Sequence, residues 1–153
     1  AFDAVGGFDE SFFAYMEDID LDFRMQLAGY SCIYLPQAKV HHIGSGATSS
    51  RSEFVIRHGH RNLIWTFVKN MPGWLFWLLL PAHVFWNLAY ILASLGMRHG
   101  KVLRQAKFEA LKQLPRVWKQ RQQVQATRKV SVWSIAKKLD WSPLSPLTKL
   151  TYK

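Results

Sequence analysis

The sequence predicts an α/β fold for residues 1 to 70, an apolar helical segment from 71 to 97, and a basic helical tail from 98 to 153. Three observations support this division. The first part mixes acids, glycines and short periodic segments, which is typical of alternating helices and strands. From Asn70 to Met97 there is no Asp, Glu, Lys or Arg. Beyond Met97 the acids are Glu109 and Asp140, among many basic residues.

Two helices are predicted in the first part. One runs from near Asp18 to Ala28, where apolar residues recur at helical spacing, and Gly29 supplies a left-handed stop. The other starts at a capping box formed by Ser50 and Glu53 and reaches Lys69.

Two short strands are predicted between these helices. Ser31 to Leu35 is rich in strand-forming residues and ends at Pro36. Lys39 to Ile43 is the second candidate. Cys32, the single cysteine, lies in the first strand, and we interpret it as a small buried hydrophobe.

Three carboxylates open the first helix: Glu17, Asp18 and Asp20. The positive end of the helix dipole stabilises acids there by ~0.3–1 kcal/mol each at the surface. Helix-start chemistry alone therefore explains such a trio, and the surrounding residues decide whether a catalytic role is the better interpretation.

Two runs surround these carboxylates: Gly6-Gly7-Phe8-Asp9-Glu10-Ser11-Phe12-Phe13-Ala14-Tyr15-Met16-Glu17-Asp18-Ile19-Asp20-Leu21 and Tyr34-Leu35-Pro36-Gln37-Ala38-Lys39-Val40-His41-His42. They resemble family 2 glycosyltransferases, which have the GT-A fold. The family pattern for the first run is GGFDE-x-FF-x-Y-x-ED-x-DL-x-x-R, and Arg24 and Gly29 fall at its expected Arg and Gly. The Arg61-Asn62 pair resembles rhamnosyl- and galactofuranosyl-transferring members.

The resemblance implies inverting sugar transfer, in which an acceptor hydroxyl attacks the anomeric carbon of a nucleotide sugar while a base removes its proton. By position Asp18 is that base, and Glu17 helps to hold the acceptor. Asp20 and Arg24 are assigned to substrate binding, with Asp20 orienting the loop or capping the helix.

The resemblance also implies a divalent cation, Mn²⁺ or Mg²⁺, that offsets the charge of the diphosphate leaving group. His42 is the expected metal ligand, and His41 is expected to pack. Arg57 and Arg61 share a helix face and are candidates for binding the diphosphate of a lipid-linked acceptor. A solvated basic face remains the alternative for both arginines.

The chain opens at Ala1 without an initiator Met, which suggests a piece of a longer protein. In the family, the nucleotide-binding half and its D-x-D motif precede the part matched here. We therefore expect the C-terminal part of a GT-A domain, inactive by itself.

The apolar segment from 74 to 95 is long enough to cross a hydrocarbon core of about 30 Å. Basic residues flank it on both sides, which favours a re-entrant or interfacial pair of helical pieces that meet near Pro81 and keep both flanks in the cytoplasm. A single span and a buried pair of core helices remain alternatives. The flanking basic residues are Arg57, Arg61 and Lys69 before the segment, and Arg98, Lys101 and Arg104 after it.

The formal net charge of +10 predicts an anionic partner for the tail. A membrane surface fits best because basic residues follow the apolar segment directly, whereas no nucleic-acid-binding motif is recognisable. We expect an enzyme at the cytoplasmic membrane face that acts in cell-envelope glycan synthesis on a nucleotide-sugar donor and a glycan or lipid-linked acceptor, with no nucleic-acid partner. The alternatives are a non-catalytic membrane-anchoring module and a basic nucleic-acid-binding helical protein.

Overall fold

The computed structural model describes residues 1–39, 41 and 52–142. Short 3-10 turns lie at Asp3–Val5, Glu10–Phe12 and Ser94–Gly96. The helices in chain order are α1 (Glu17–Leu27), α2 (Glu53–Asn70), α3 (Gly73–Ala93), α4 (Gly100–Lys112), α5 (Leu114–Ala126) and α6 (Val132–Ala136).

The predicted α/β fold class is wrong for this chain, because the described residues form helices, turns and irregular segments but no strand. The predicted strand Ser31 to Leu35 is irregular and exposed, with Tyr34 at 85% exposure. A strand needs a neighbour to accept its backbone hydrogen bonds, and the described part of the chain offers none. Cys32 is exposed, so the prediction of a buried cysteine is also wrong. Most of the second predicted strand lies outside the described residues.

Both helices predicted in the first part are confirmed within two or three residues. After α1, Gly29 adopts φ +92°, a left-handed conformation that glycine adopts without steric cost. The cap of α2 is Ser52, whose hydroxyl accepts the Val55 N–H at 3.3 Å. Ser50, the predicted cap, lies outside the described residues.

Helix α2 is the centre of the fold and packs against α1, α4 and α5. Its Trp65 is 1% exposed, and the indole N–H donates to the Ala110 carbonyl at 3.2 Å. The guanidinium groups of Arg61 and Arg116 lie 4.4 and 4.7 Å from the Trp65 ring centroid. The basic tail is therefore tied to α2, through α4 and α5, by a buried aromatic residue and its cationic neighbours.

Helix α3 continues through Pro81, so the predicted break into two pieces is wrong. Proline removes one backbone donor and disturbs one turn, but hydrogen bonding resumes on either side. Among the described residues, Gly73–Gly96 is long and apolar enough to cross a membrane by length and composition, and 11% of its most apolar window is buried.

The polar side chains of α3 face the protein. The His83 ring stacks on Phe67 at 4.0 Å between centroids, nearly parallel at 8°. The Asn87 side chain accepts a short hydrogen bond from Lys107 of α4. Lys107 is 2% exposed, and burial lowers its pKa to about 8. These contacts fix which face of α3 packs against α2 and α4.

The opposite face of α3 is a stripe of large apolar side chains, here called the α3 stripe. Its members recur at three- and four-residue spacing along the helix and are between 40% and 70% exposed. They are Trp74, Trp77, Leu78, Val84, Phe85, Leu88, Leu92 and Leu95. So long a run of exposed apolar side chains on one helix is unusual for a protein surface that contacts only water.

A matched pair of glycine substitutions tests the junction between α3 and α4. A Cβ at Gly100 would lie 1.7 Å from the Ser94 carbonyl oxygen, whereas one at Gly59 inside α2 would meet nothing within 4 Å. We expect Gly100→Ala to lower the free energy of unfolding by about 1–3 kcal/mol through overpacking. Gly59→Ala should raise it by about 0.5–1 kcal/mol through helix propensity. Urea unfolding followed by circular dichroism measures both, and equal effects would contradict the described junction.

Candidate functional site

The loop before α1 is strained, and it leads directly into the predicted catalytic carboxylates. Phe13, Tyr15 and Met16 have φ of 62°, 65° and 70°. The Ala14 N–H donates to the Phe12 carbonyl at 2.8 Å, which closes a γ-turn around Phe13 at φ 62° and ψ −56°. Positive φ at a non-glycine residue costs of order 1–3 kcal/mol, and such strain persists only where the surroundings enforce it.

Asn62 and Arg61 of α2 enforce this conformation. The Asn62 side-chain amide donates to the carbonyls of Phe12, Ala14 and Tyr15 at 3.0, 2.9 and 2.8 Å. Arg61 donates to the Phe12 carbonyl at 3.1 Å and to the Asn62 Oδ1 at 2.9 Å. Asn62 is fully buried, so these bonds are protected from competing water.

A buried ionic network, here called the Asp20 network, fixes the other side of the loop. Asp20 is 0% exposed; it accepts from Arg24 at 2.8 Å, Lys69 at 2.9 Å and Asn70 at 2.8 Å. Arg24 also donates to the carbonyls of Val5 at 2.6 Å and Gly7 at 2.7 Å. The network therefore ties the N-terminal residues, α1 and the end of α2 together.

Asp9 extends the network to α5. Its carboxylate accepts from Lys69 at 2.7 Å and from Gln120 at 3.0 Å. Burial alone would raise the pKa of Asp9, but hydrogen bonds from Lys69 and Ser11 and the charge of Lys69 outweigh it and hold the pKa below 3.8. The stability that this pairing contributes is present above pH 3.8 and is lost as the pH falls through the lowered value.

Glu17 and Asp18, the predicted catalytic pair, begin α1 directly after the strained loop. Asp18 is exposed, and its Oδ1 accepts the Ile19 N–H at 2.8 Å. Glu17 is half-buried; its Oε2 is buried and has no hydrogen-bond partner among the described residues. The roles of base and acceptor-holding group stay predictions for these two carboxylates.

The other predicted substrate-binding residues already have partners within the protein. Asp20 and Arg24 are buried in the network described above. Arg57 forms a two-bond ion pair with Glu109 of α4 at 2.6 and 3.0 Å, and Glu109 raises its pKa. Arg61 bonds the loop and lies over Trp65. In this arrangement all four act within the protein, and contact with substrate stays a prediction.

The predicted metal ligand His42 lies outside the described residues. Its neighbour His41, predicted to pack, is exposed. Within residues 1–39, 41 and 52–142, no three or more His, Cys, Asp or Glu side chains are grouped as a metal site requires. The described residues therefore do not compose a cation site by themselves.

Sequence reasoning missed two members of the site's framework. The sequence predicts Lys69 as a basic flank of the apolar segment, but the residue is 3% exposed and paired with two carboxylates. Asn70 begins the uncharged run in the sequence, and in the structure its side chain donates to Asp20 at 2.8 Å. The sequence signal for their role is weak. A polar pair follows an apolar turn at the end of α2, but this pattern does not identify the acid that each polar residue contacts.

Two curated proteins resemble this chain in sequence. Both carry the name N-acetylglucosaminyl-diphospho-decaprenol L-rhamnosyltransferase and come from two strains of Mycobacterium tuberculosis. Each is 36% identical over 74 residues, which is 48% of this chain and 24% of the relative. The match thus spans about a quarter of each relative's length, and it relates the chain to a glycosyltransferase.

No protein-family model matches the chain. No solved structure matches it either.

The Asp20 network can be tested by removing its shared cation. Lys69→Met leaves Asp9 and Asp20 in the interior without their ammonium partner, so we expect a loss of about 3–5 kcal/mol in the free energy of unfolding. Lys119→Met, on an exposed site of α5, is the matched control and should change it by less than about 0.5 kcal/mol. Similar small effects in urea unfolding would show that the network does not hold the fold.

Proposed function

We propose that this chain supplies the acceptor side of an inverting glycosyltransferase. The observation that carries the proposal is the exposed Asp18 at the end of a loop whose strained backbone is fixed by Asn62 and Arg61. Strain that is enforced by several buried hydrogen bonds concentrates at functional sites. The similarity to a rhamnosyltransferase over 74 residues supports the same reading.

The proposed chemistry is one displacement. The acceptor oxygen forms a bond to the anomeric carbon of the donor sugar, and the bond from that carbon to the diphosphate oxygen breaks. Asp18 takes the acceptor's hydroxyl proton, and the nucleoside diphosphate leaves with the bonding electron pair. Glu17 holds the acceptor. Asn62, through the loop carbonyls, keeps both carboxylates at a fixed place, which lowers the entropic cost of alignment.

The substrates proposed are a nucleotide-sugar donor and a glycan or lipid-linked acceptor used in cell-envelope synthesis. The name of the two relatives specifies a rhamnosyl group and a diphospho-decaprenol-linked N-acetylglucosamine, and an acceptor of that class suits this proposal. Binding of the donor belongs to residues other than those described. A divalent cation, Mn²⁺ or Mg²⁺, remains part of the proposal, with His42 as a ligand, and it would offset the charge of the departing diphosphate.

The base assignment is tested with Asp18→Asn in the protein that carries this chain together with a nucleotide-binding half. Asparagine keeps the shape but accepts no proton, so we expect turnover to fall by about 10²–10⁴-fold with donor affinity unchanged. Asp22→Asn, on an exposed carboxylate one turn along α1, is the matched control and should keep wild-type turnover. Wild-type turnover by the Asp18 variant would remove Asp18 from the base role.

We propose further that the protein works at the cytoplasmic face of a membrane, with α3 lying along the surface. The α3 stripe supplies the apolar face and α2 and α4 cover the polar one. A spanning α3 would have to carry Asn87 and the buried Lys107 that donates to it into the hydrocarbon layer, which is costly. An interfacial helix leaves these groups in the protein, and the basic tail would add attraction to anionic headgroups.

Vesicle flotation tests the membrane proposal. The double substitution Phe85→Glu and Leu92→Glu puts two charges on the α3 stripe and should reduce binding to anionic phospholipid vesicles by at least about tenfold. Ile33→Glu, on an equally exposed apolar side chain in the irregular segment, should leave binding unchanged. Equal loss in both would show that the stripe is not the contact.

A second measurement separates a surface helix from a span. Single cysteines replace Trp74, at the start of α3, and Met97, directly after the 3-10 turn that follows α3, in a Cys32→Ser background. A surface helix predicts labelling of both from the same side of sealed vesicles. Labelling from opposite sides would establish a span.

A further inference from the structure

A partly exposed aromatic cluster borders the strained loop and is not used by the proposed chemistry. The ring of Phe13 is 77% exposed. It lies 6.1 Å from the Phe54 ring and 5.8 Å from the His58 ring, and Phe54 and His58 are 4.2 Å apart. Tyr15 meets Phe54 at 6.2 Å. These rings come from two elements, the loop and the first turns of α2.

The backbone presents Phe13 to solvent at a cost. The γ-turn places this residue at φ 62°, where a bulky side chain is disfavoured and glycine would be the relaxed choice. The Phe12 carbonyl that closes the turn also accepts from Asn62 and Arg61. Buried donors therefore hold the turn that directs the Phe13 side chain outward. This side chain contributes little to the core, because most of its surface stays in water.

We propose that Phe13, Phe54 and His58 form a stacking platform that binds the ring of the acceptor sugar beside Asp18. The inference rests on the proposed glycosyltransferase function and deepens it by naming the acceptor-recognising residues. A pyranose ring presents C–H groups on its faces and hydroxyls on its rim. Aromatic rings suit those faces, and a carboxylate suits the hydroxyls.

The size of the platform favours a sugar over larger occupants. It consists of a few rings from the loop and the first turns of α2, whereas a stable protein interface buries about 800 Å² per partner. A lipid chain would need a long apolar track, and the extended apolar surface of this molecule is the α3 stripe instead. The exposed Asp18 carboxylate, five residues after Phe13 in the chain, also suits a polar ligand with apolar faces better than a hydrocarbon chain.

Direct binding to the 153-residue chain tests the proposal without any transfer reaction. The probe is methyl N-acetyl-β-D-glucosaminide, followed through the ring resonances of Phe and His in ¹H–¹³C NMR spectra. Sorbitol, a polyol without ring faces, is the control ligand. We expect saturable shifts of Phe13, Phe54 and His58 in the millimolar range with the glucosaminide and none with sorbitol.

Phe13→Gly is the decisive variant because it should not harm folding. Glycine relaxes the positive φ, so the melting temperature should be unchanged or a few degrees higher, while affinity for the glucosaminide falls by about fivefold or more. Phe108→Ala, on an exposed ring of α4, is the matched control and should change neither shifts nor affinity. Lower stability with unchanged affinity would assign Phe13 a structural role and overturn the proposal.

The outcome is separable from that of the proposed reaction. Asp18→Asn should abolish transfer but keep the ring shifts, because the stacking contact needs no base. Shifts located elsewhere, or equal shifts with sorbitol, would overturn the platform and leave the assignment of Asp18 untouched.

Discussion

The Asp20 network is the interaction on which the rest of the structure depends. A single carboxylate with no exposed surface receives donors from α1 and from the last turn of α2, and Lys69 passes the connection on to Asp9. Burying these charges costs free energy that their mutual attraction and full hydrogen bonding must offset. The arrangement therefore tolerates only one geometry, which fixes α1 against α2 and places the loop between them.

The loop before α1 is held at its two ends by two different kinds of hydrogen-bond donor. Charged groups anchor the Gly6-Gly7 end, where Arg24 holds two carbonyls. A neutral amide anchors the other end, where Asn62 holds three. Between them the chain is forced through positive φ at three non-glycine residues. The same hydrogen bonds support both the proposed base at Asp18 and the proposed platform at Phe13.

The packing of α3 divides one apolar helix into two faces with different roles. Its few polar side chains turn toward α2 and α4, where Lys107 and Phe67 meet them. The remaining face carries only apolar side chains along its length. The uncharged helix is thus amphipathic in its context, because the protein itself covers its polar side. The proposed surface position of α3 rests on this orientation.

The sequence by itself determined the first two helices and the motif that carries the family resemblance. Gly29 and the apolar periodicity located α1, and α2 begins at Glu53 and ends one residue beyond the predicted Lys69. These signals act within a few residues, so they are legible without the tertiary structure. The similarity to a rhamnosyltransferase agrees with the family resemblance carried by residues 6 to 21.

Tertiary structure decided what local signals leave open. Ser31 to Leu35 has strand propensity but no partner among the described residues, and a strand exists only through its neighbours. Pro81 permits a break, yet α3 is one helix, and Phe76 and His83 on either side of Pro81 both stack on Phe67 of α2. Arg57, Arg61 and Lys69 looked like free basic residues in sequence. Their partners Glu109, Phe12 and Asp20 lie about 50 positions away, and a charge pair formed over that separation depends on how helices pack, which no local pattern encodes.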